Sequence, residues 1–243
     1  MTTNAIMSGL SEQMTDKDLH YLEVRNLKKA FFMRDGTKLP VVDVPNFNLS
    51  TGQQLAIYGK SGSGKSTFLN LLAGILRANS GSIKIDRTDL TQLPESGRDL
   101  LRSRVMGYVF QSFHLLQGCT ALENVLVAMA VNGNANEDKA KELLSLVGMS
   151  EKENSLPAQL SIGQQQRVGI ARALANSPKL ILADEPTGSL DPENSSRSIE
   201  LLKSLCKASG CALIVVSHDP NIINCFEHSK KWEDLNNVGK EDK

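Results

Sequence analysis

Apolar positions change period several times along the chain, and the changes divide it into alternating elements. Leu22, Val24 and Leu27 alternate loosely. Val41, Val42 and Val44 follow after an Asp35-Gly36 pair, which predicts two strands joined through a turn. Leu55-Ala56-Ile57-Tyr58 reads as a short buried strand running into a glycine-rich loop. Phe68-Leu69-x-Leu71-Leu72 then takes helical spacing that stops near Asn79-Ser80-Gly81. Ile83 and Ile85 return to strand spacing, Arg98–Arg104 is a charged segment, and Val105–Phe110 is strand-like. From about Thr120 to Pro157 the pattern is helical, with breaks at Asn132-Gly133-Asn134 and at Gly148. Val168–Leu174 and Ile199–Leu205 are helical, while Leu180–Ala183 and Ala212–Val216 are continuous apolar strands. Strands alternating with helices predict an α/β fold with a mostly parallel sheet, and the long helical stretch predicts a helical insertion. Met1–Asp18 has no periodicity and reads as a flexible arm. Residues 19–243 then form a single domain, with the helical subdomain at about 112–175.

Composition narrows the partners. The 243 residues suit one large domain, or a core domain with an insert, and the 40% apolar content suits a globular chain. Lys plus Arg equal Asp plus Glu at 27 each, so no strong basic field argues for nucleic acid. No apolar run approaches the roughly 18–20 residues of a membrane helix, and the polar first twenty residues hold no signal-peptide core. These features predict a soluble, cytoplasmic chain, for which a membrane role requires a separate partner. The four cysteines make no CxxC or zinc pattern and are expected as ordinary reduced thiols.

The chemistry begins at Gly59-Lys60-Ser61-Gly62-Ser63-Gly64-Lys65-Ser66, a full GxxxxGK[ST] match with a strand before it and a helix after it. Glycines let the backbone curl until several N–H groups point at one anion, and the helix that starts there adds its positive end. Lys65 is expected on the β- and γ-phosphates and Ser66 on Mg²⁺, with Thr67 completing the nucleotide contacts. A second signal is Leu180–Ala183 running into Asp184-Glu185. A buried parallel strand delivers its last residues to the carboxyl edge of the sheet, where ligands bind. Asp184 is placed to hold the Mg²⁺ shell and Glu185 to polarise an attacking water.

Leu160-Ser161-Ile162-Gly163-Gln164-Gln165-Gln166-Arg167 lies before a helix and ahead of the acidic strand. It resembles the LSGGQ signature of the ABC ATPase family, and the resemblance extends over nearly the whole chain. Gln111 stands where that family has its Q-loop glutamine, a nucleotide and Mg²⁺ contact. Ser189-Leu190-Asp191 resembles its D-loop, His218 its switch histidine, and Phe31 its adenine-stacking aromatic. The family implies a P-loop NTPase fold with a mostly parallel central sheet, an N-terminal antiparallel β subdomain and an inserted helical subdomain. It also implies MgATP as substrate and a head-to-tail homodimer. In that pairing Ser161, Gly163 and Gln164 of one copy cover the γ-phosphate held by the other, and Asp191 is a further nucleotide contact. Ser161 and Gly163 also have a physical reading of their own, since they open a second anion-binding helix N-terminus.

Within the family the resemblance is strongest to ATPases of lipoprotein-release and macrolide-export systems. It is carried by Arg102–Gln111, Phe113-His114-Leu115-Leu116 and Thr120–Val125. It implies an integral membrane permease with an extracytoplasmic domain as partner, contacted by the region after Gln111, and a peripheral location on the inner face of the cell membrane. Glu123, Asn124 and Val125 fit a permease contact and a plain amphipathic helix equally well. Two departures stand out. Ile162 replaces the usual glycine of the signature, and Lys231-Trp232-Glu233-Asp234 matches the family's last strand only in part, with Trp232 read as core packing.

Three other readings compete with this one. An ABC-type ATPase acting on DNA or ribosomes would carry long coiled-coil heptads or a second fused cassette, and neither is in the sequence. A phosphate-loop kinase or GTPase has no use for Ser161–Gln164. A regulator signalling through a permease-like membrane protein, as in cell division, is not separated by sequence from a transporter. Neither the cargo nor the direction of transport is encoded in a readable pattern.

Overall fold

The computed structural model describes residues 20–240, and the expected arm at residues 1–18 lies outside them. The chain starts with two long strands, β1 (His20–Phe32) and β2 (Lys38–Ser50), which pair antiparallel across the turn at Asp35-Gly36. Gly36 has φ 83°, the left-handed conformation the turn needs. With β4 (Ser80–Ile85) and β5 (Thr88–Asp89) they form a four-stranded antiparallel sheet in the order β2-β1-β4-β5.

The second sheet is parallel and has the order β6-β7-β8-β3-β9. Its strands are β3 (Gln54–Tyr58), β6 (Met106–Val109), β7 (Leu180–Asp184), β8 (Ala212–Ser217) and β9 (His228–Lys231). Period-two alternation sends its side chains into two cores. Ile181, Ala183, Leu213 and Val215 face the helices α5 (Ile162–Leu174) and α6 (Pro192–Ala208). Leu180, Leu182, Ile214 and Val216 face α1 (Lys65–Leu72) and the antiparallel sheet. Strands buried on both faces lose the polar alternation of a half-exposed strand, which is why β7 and β8 read as unbroken apolar runs.

Helix α2 (Glu95–Val105) occupies what the sequence offers only as a charged segment. Leu101 and Val105 pack on the core beneath it, and its arginines take carbonyl partners. Arg98 is buried and donates from Nε to Gly74 O at 3.1 Å and from Nη1 to Leu93 O at 3.1 Å. Arg102 Nη1 donates to Ala73 O at 3.2 Å. Both guanidinium groups thereby satisfy the open carbonyl end of α1.

The helical insertion contains α3 (Ala121–Ala130) and α4 (Glu137–Leu146), packed on α5 through Val125, Met129, Leu144, Val147 and Val168. Thr120 and Glu123 form a reciprocal capping box at the start of α3. Asn124 is buried and ties down the preceding loop, accepting from Leu116 N and donating to the carbonyls of Leu116, Cys119 and Thr120. Val125 is fully buried. Glu123 and Asn124 are thus engaged within the chain, as a cap and a loop clamp. The short α7 (Pro220–Asn224) leads to β9, which pairs with β3, and to α8 (Trp232–Leu235). Among the described residues no helix is long and apolar enough to cross a membrane.

Candidate nucleotide site

Strand β3, between β8 and β9, ends at Tyr58, and residues 59–64 loop over to the start of α1. Gly64 caps α1 with φ 105°, and a Cβ there would meet Val41 O at 2.7 Å, so only glycine fits. Lys65 is buried, and its ammonium donates to Gly59 O at 2.8 Å and Lys60 O at 2.7 Å. An ammonium has three donors, so one N–H remains for an anion in front of the loop. Burial holds the Lys65 pKa below the ordinary lysine value, opposed by the charges of Glu185, Glu233 and Asp184.

The carboxyl edge of the sheet brings the acidic pair to the same place. Ser66 Oγ donates to Asp184 Oδ1 at 2.8 Å, which joins the first turn of α1 to the end of β7. Burial raises the Asp184 pKa and the neighbouring Glu185 adds to it, while the Ser66 hydrogen bond and Lys65 lower it. A hydroxyl and a carboxylate at this spacing are hard oxygen donors of the kind Mg²⁺ takes. Among the described residues no cluster of three His, Cys, Asp or Glu could cage a metal alone.

Glu185 has φ 44°, a sparsely populated conformation for a residue with a side chain. Its amide donates to Val216 O at 2.9 Å, which turns the chain sharply at the strand end and sends the carboxylate across β8. There Oε1 lies 2.7 Å from His218 Nδ1, and Oε2 accepts from Ser217 Oγ at 3.2 Å. Ser217 is a site residue the sequence reading missed. Its only signal was its position between the strand and His218.

Gln111 is exposed just after β6 and packs beside Gly188, where an added Cβ would lie 3.0 Å from its Nε2. Among the described residues no hydrogen bond joins it to Ser66 or Asp184. Phe31 is 38% exposed near the end of β1, with Lys29 Nζ 5.1 Å from its ring centre.

The remaining candidates assemble elsewhere on the surface. Ser161 caps α5, accepting from Gln164 N at 3.3 Å, and Gln164 Oε1 accepts from Ser161 N at 2.9 Å. Asp191 caps α6 through Asn194, bonds that hold its carboxylate pKa below the ordinary value. Ser161, Gly163, Gln164 and Asp191 line one groove of about 580 Å³, and none of them hydrogen-bonds to residues 59–67 among the described residues. Ile162 is 52% exposed beside it, so its branched side chain meets no steric conflict within the chain. A single link runs back toward the acidic strand end. Gln166 is buried on α5, and its Nε2 donates to Pro186 O at 2.6 Å.

The fold is that of a phosphate-loop nucleoside triphosphatase. The family model described as ABC transporter matches residues 42–188. The chain is 43% identical over 203 residues to the lipoprotein-releasing system ATP-binding protein LolD of Treponema denticola, covering 82% of this chain and 90% of LolD. It is 38% identical to the macrolide export ATP-binding/permease protein MacB of Syntrophobacter fumaroxidans, covering 84% of this chain and 29% of that longer protein. Among solved structures, the dimeric ATP-binding cassette MJ0796 in a post-hydrolysis state with ADP and Pi superimposes with a TM-score of 0.79. It is 35% identical, covering 86% of this chain and 93% of MJ0796. The chain belongs to the ABC transporter family. It is an ATP-binding subunit with ATPase activity, as both the sequence reading and the fold imply.

Proposed function

We propose that the chain powers a membrane permease by forming a head-to-tail homodimer around two MgATP. Residues Gly59–Thr67 cradle the triphosphate of their own copy, and Phe31 stacks on the adenine. Ser66, Asp184 and Gln111 hold Mg²⁺, which when bound offsets the charge on the transferred phosphoryl group. Glu185 accepts a proton from the attacking water, and His218 fixes the Glu185 carboxylate and meets the γ-phosphate. Ser161, Gly163, Gln164 and Asp191 of a second copy close the site.

The observation that carries this reading is the groove beside Ser161. A second polar helix start, capped and open to solvent, shares that groove with Asp191 and makes no hydrogen bond to the chain's own phosphate loop. Two anion-binding helix ends in one chain are explained when each nucleotide touches two chains. The γ-phosphate then clamps the pair, and its loss removes charge-assisted hydrogen bonds from both sides at once.

Similarity to the lipoprotein-releasing LolD and the macrolide export ATP-binding/permease MacB supports a membrane permease as partner and envelope-directed or export work as the output, and the permease this reading names is one with an extracytoplasmic domain. It also supports a place on the inner face of the cell membrane. Residues 19–243 act as one ATPase domain, and the helical subdomain at about 112–175 faces the permease. Affinity purification of the tagged chain from solubilised membranes tests the partnership. The expected result is one integral membrane protein in stoichiometric amount that raises the ATPase rate. Recovery of the chain from the soluble fraction alone, with no membrane protein attached, would contradict it.

A further inference from the structure

A loop that turns several N–H groups toward one anion turns its carbonyls the opposite way, and those carbonyls need donors behind the loop. Two of them, Gly59 O and Lys60 O, take theirs from Lys65. Lys65 is the group expected to engage phosphate with its third N–H, so these two bonds tie the start of the loop to a substrate-binding side chain. The third carbonyl, Ser63 O, takes its donor from outside the loop. Trp232 Nε1 donates to it at 2.8 Å.

Trp232 is 1% exposed and is the chain's single tryptophan. Its ring lies 5.2 Å from that of Phe68 on α1, and Phe68 lies edge-on to Phe47 of β2 at 5.4 Å. The same segment closes on the other end of the loop. A Cβ on Gly59 would meet Trp232 Cβ at 2.9 Å and the Glu233 carboxylate at 3.2 Å, while Lys60 N donates to Glu233 Oε1 at 3.4 Å. Asn236 extends the brace to β2, donating to Val41 O at 3.0 Å and accepting from Asp43 N at 2.7 Å. Val41 O is the atom that leaves no room for a side chain at Gly64.

We infer that Trp232 is a positioning residue for ATP binding, holding the Ser63 carbonyl so that the loop's N–H groups stay aimed at the phosphates. An indole N–H is donor-only and its buried ring has no freedom to leave, so this brace holds with or without substrate. The inference rests on the reading of Gly59–Thr67 as the phosphate cradle.

Trp232→Phe keeps an aromatic ring against Phe68 and removes the N–H. The KM for MgATP rises about fivefold, the worth of one ordinary hydrogen bond, while kcat changes by less than about twofold. A purely structural role would lower the melting temperature and the active fraction instead, leaving KM alone. An unchanged KM in Trp232→Phe overturns the inference and leaves the cradle reading intact. Absence of calorimetric binding to the wild-type chain would instead overturn the cradle reading itself.

Discussion

His218 Nδ1 lies 2.7 Å from Glu185 Oε1, a contact between the ends of two adjacent parallel strands. The strained turn at Glu185 aims its carboxylate at β8, and Ser217 holds the second oxygen, so the group is fixed at both ends. In the proposed role of base, a carboxylate held this way loses little entropy when water attacks.

Replacing His218 by Ala frees one end of that carboxylate. The account expects kcat for ATP hydrolysis to fall about ten- to a hundredfold, in line with one charge-assisted hydrogen bond of about 1.5–3 kcal/mol, with a much smaller change in nucleotide affinity. Steady-state kinetics beside equilibrium binding measures the split. Equal loss in both would remove His218 from the chemical step.

The Ser66–Asp184 pair is expected to meet Mg²⁺. Chelation with EDTA stops turnover, and Ser66→Ala raises the Mg²⁺ concentration needed for half-maximal rate, since one hard oxygen donor is lost. A Mg²⁺ titration of both proteins reads this directly. Superimposable curves would mean that the Ser66 hydroxyl does not touch the metal.

Lys65→Ala removes the buried ammonium of the loop, leaving Gly59 O without its donor and Lys60 O with only the Ser63 amide at 3.3 Å. Binding or hydrolysis of ATP is lost, as calorimetry and phosphate release report. Wild-type turnover in this variant would refute the cradle assignment.

Asn124 tests the fold rather than the chemistry. Asn124→Ala leaves Leu116 N and Cys119 O without a partner in the loop before α3, while Leu116 O and Thr120 O keep backbone donors, at a cost of about 2–3 kcal/mol. For a chain of this size that is a drop of roughly 5–10 °C in melting temperature. Thermal denaturation checks it, and an unshifted midpoint would show that water replaces the amide at no cost.

What the sequence reveals follows from which forces leave a pattern. Apolar runs disclosed β3, β7 and β8 because a buried parallel strand needs an unbroken hydrophobic run. The glycine spacing of residues 59–64 was readable because positive φ and close approach to Val41 tolerate no side chain. Helix α2 was hidden, since Arg98 and Arg102 bind carbonyls of α1 and mimic a solvated charged stretch. Trp232 was read as core packing, and it is buried as expected, but its hydrogen bond to Ser63 joins positions 169 residues apart. Ser217 and Gln166 were likewise invisible, because a polar partner chosen by tertiary structure leaves no period behind.

The shared nucleotide remains the central claim, and Glu185→Gln examines it most directly. This substitution keeps the size of the side chain and removes the base, so ATP binds and is not consumed. Light scattering on a sizing column with saturating MgATP should give the mass of two chains, reverting to one when ADP replaces ATP. A single-chain mass at saturating MgATP would contradict a site completed by a second copy.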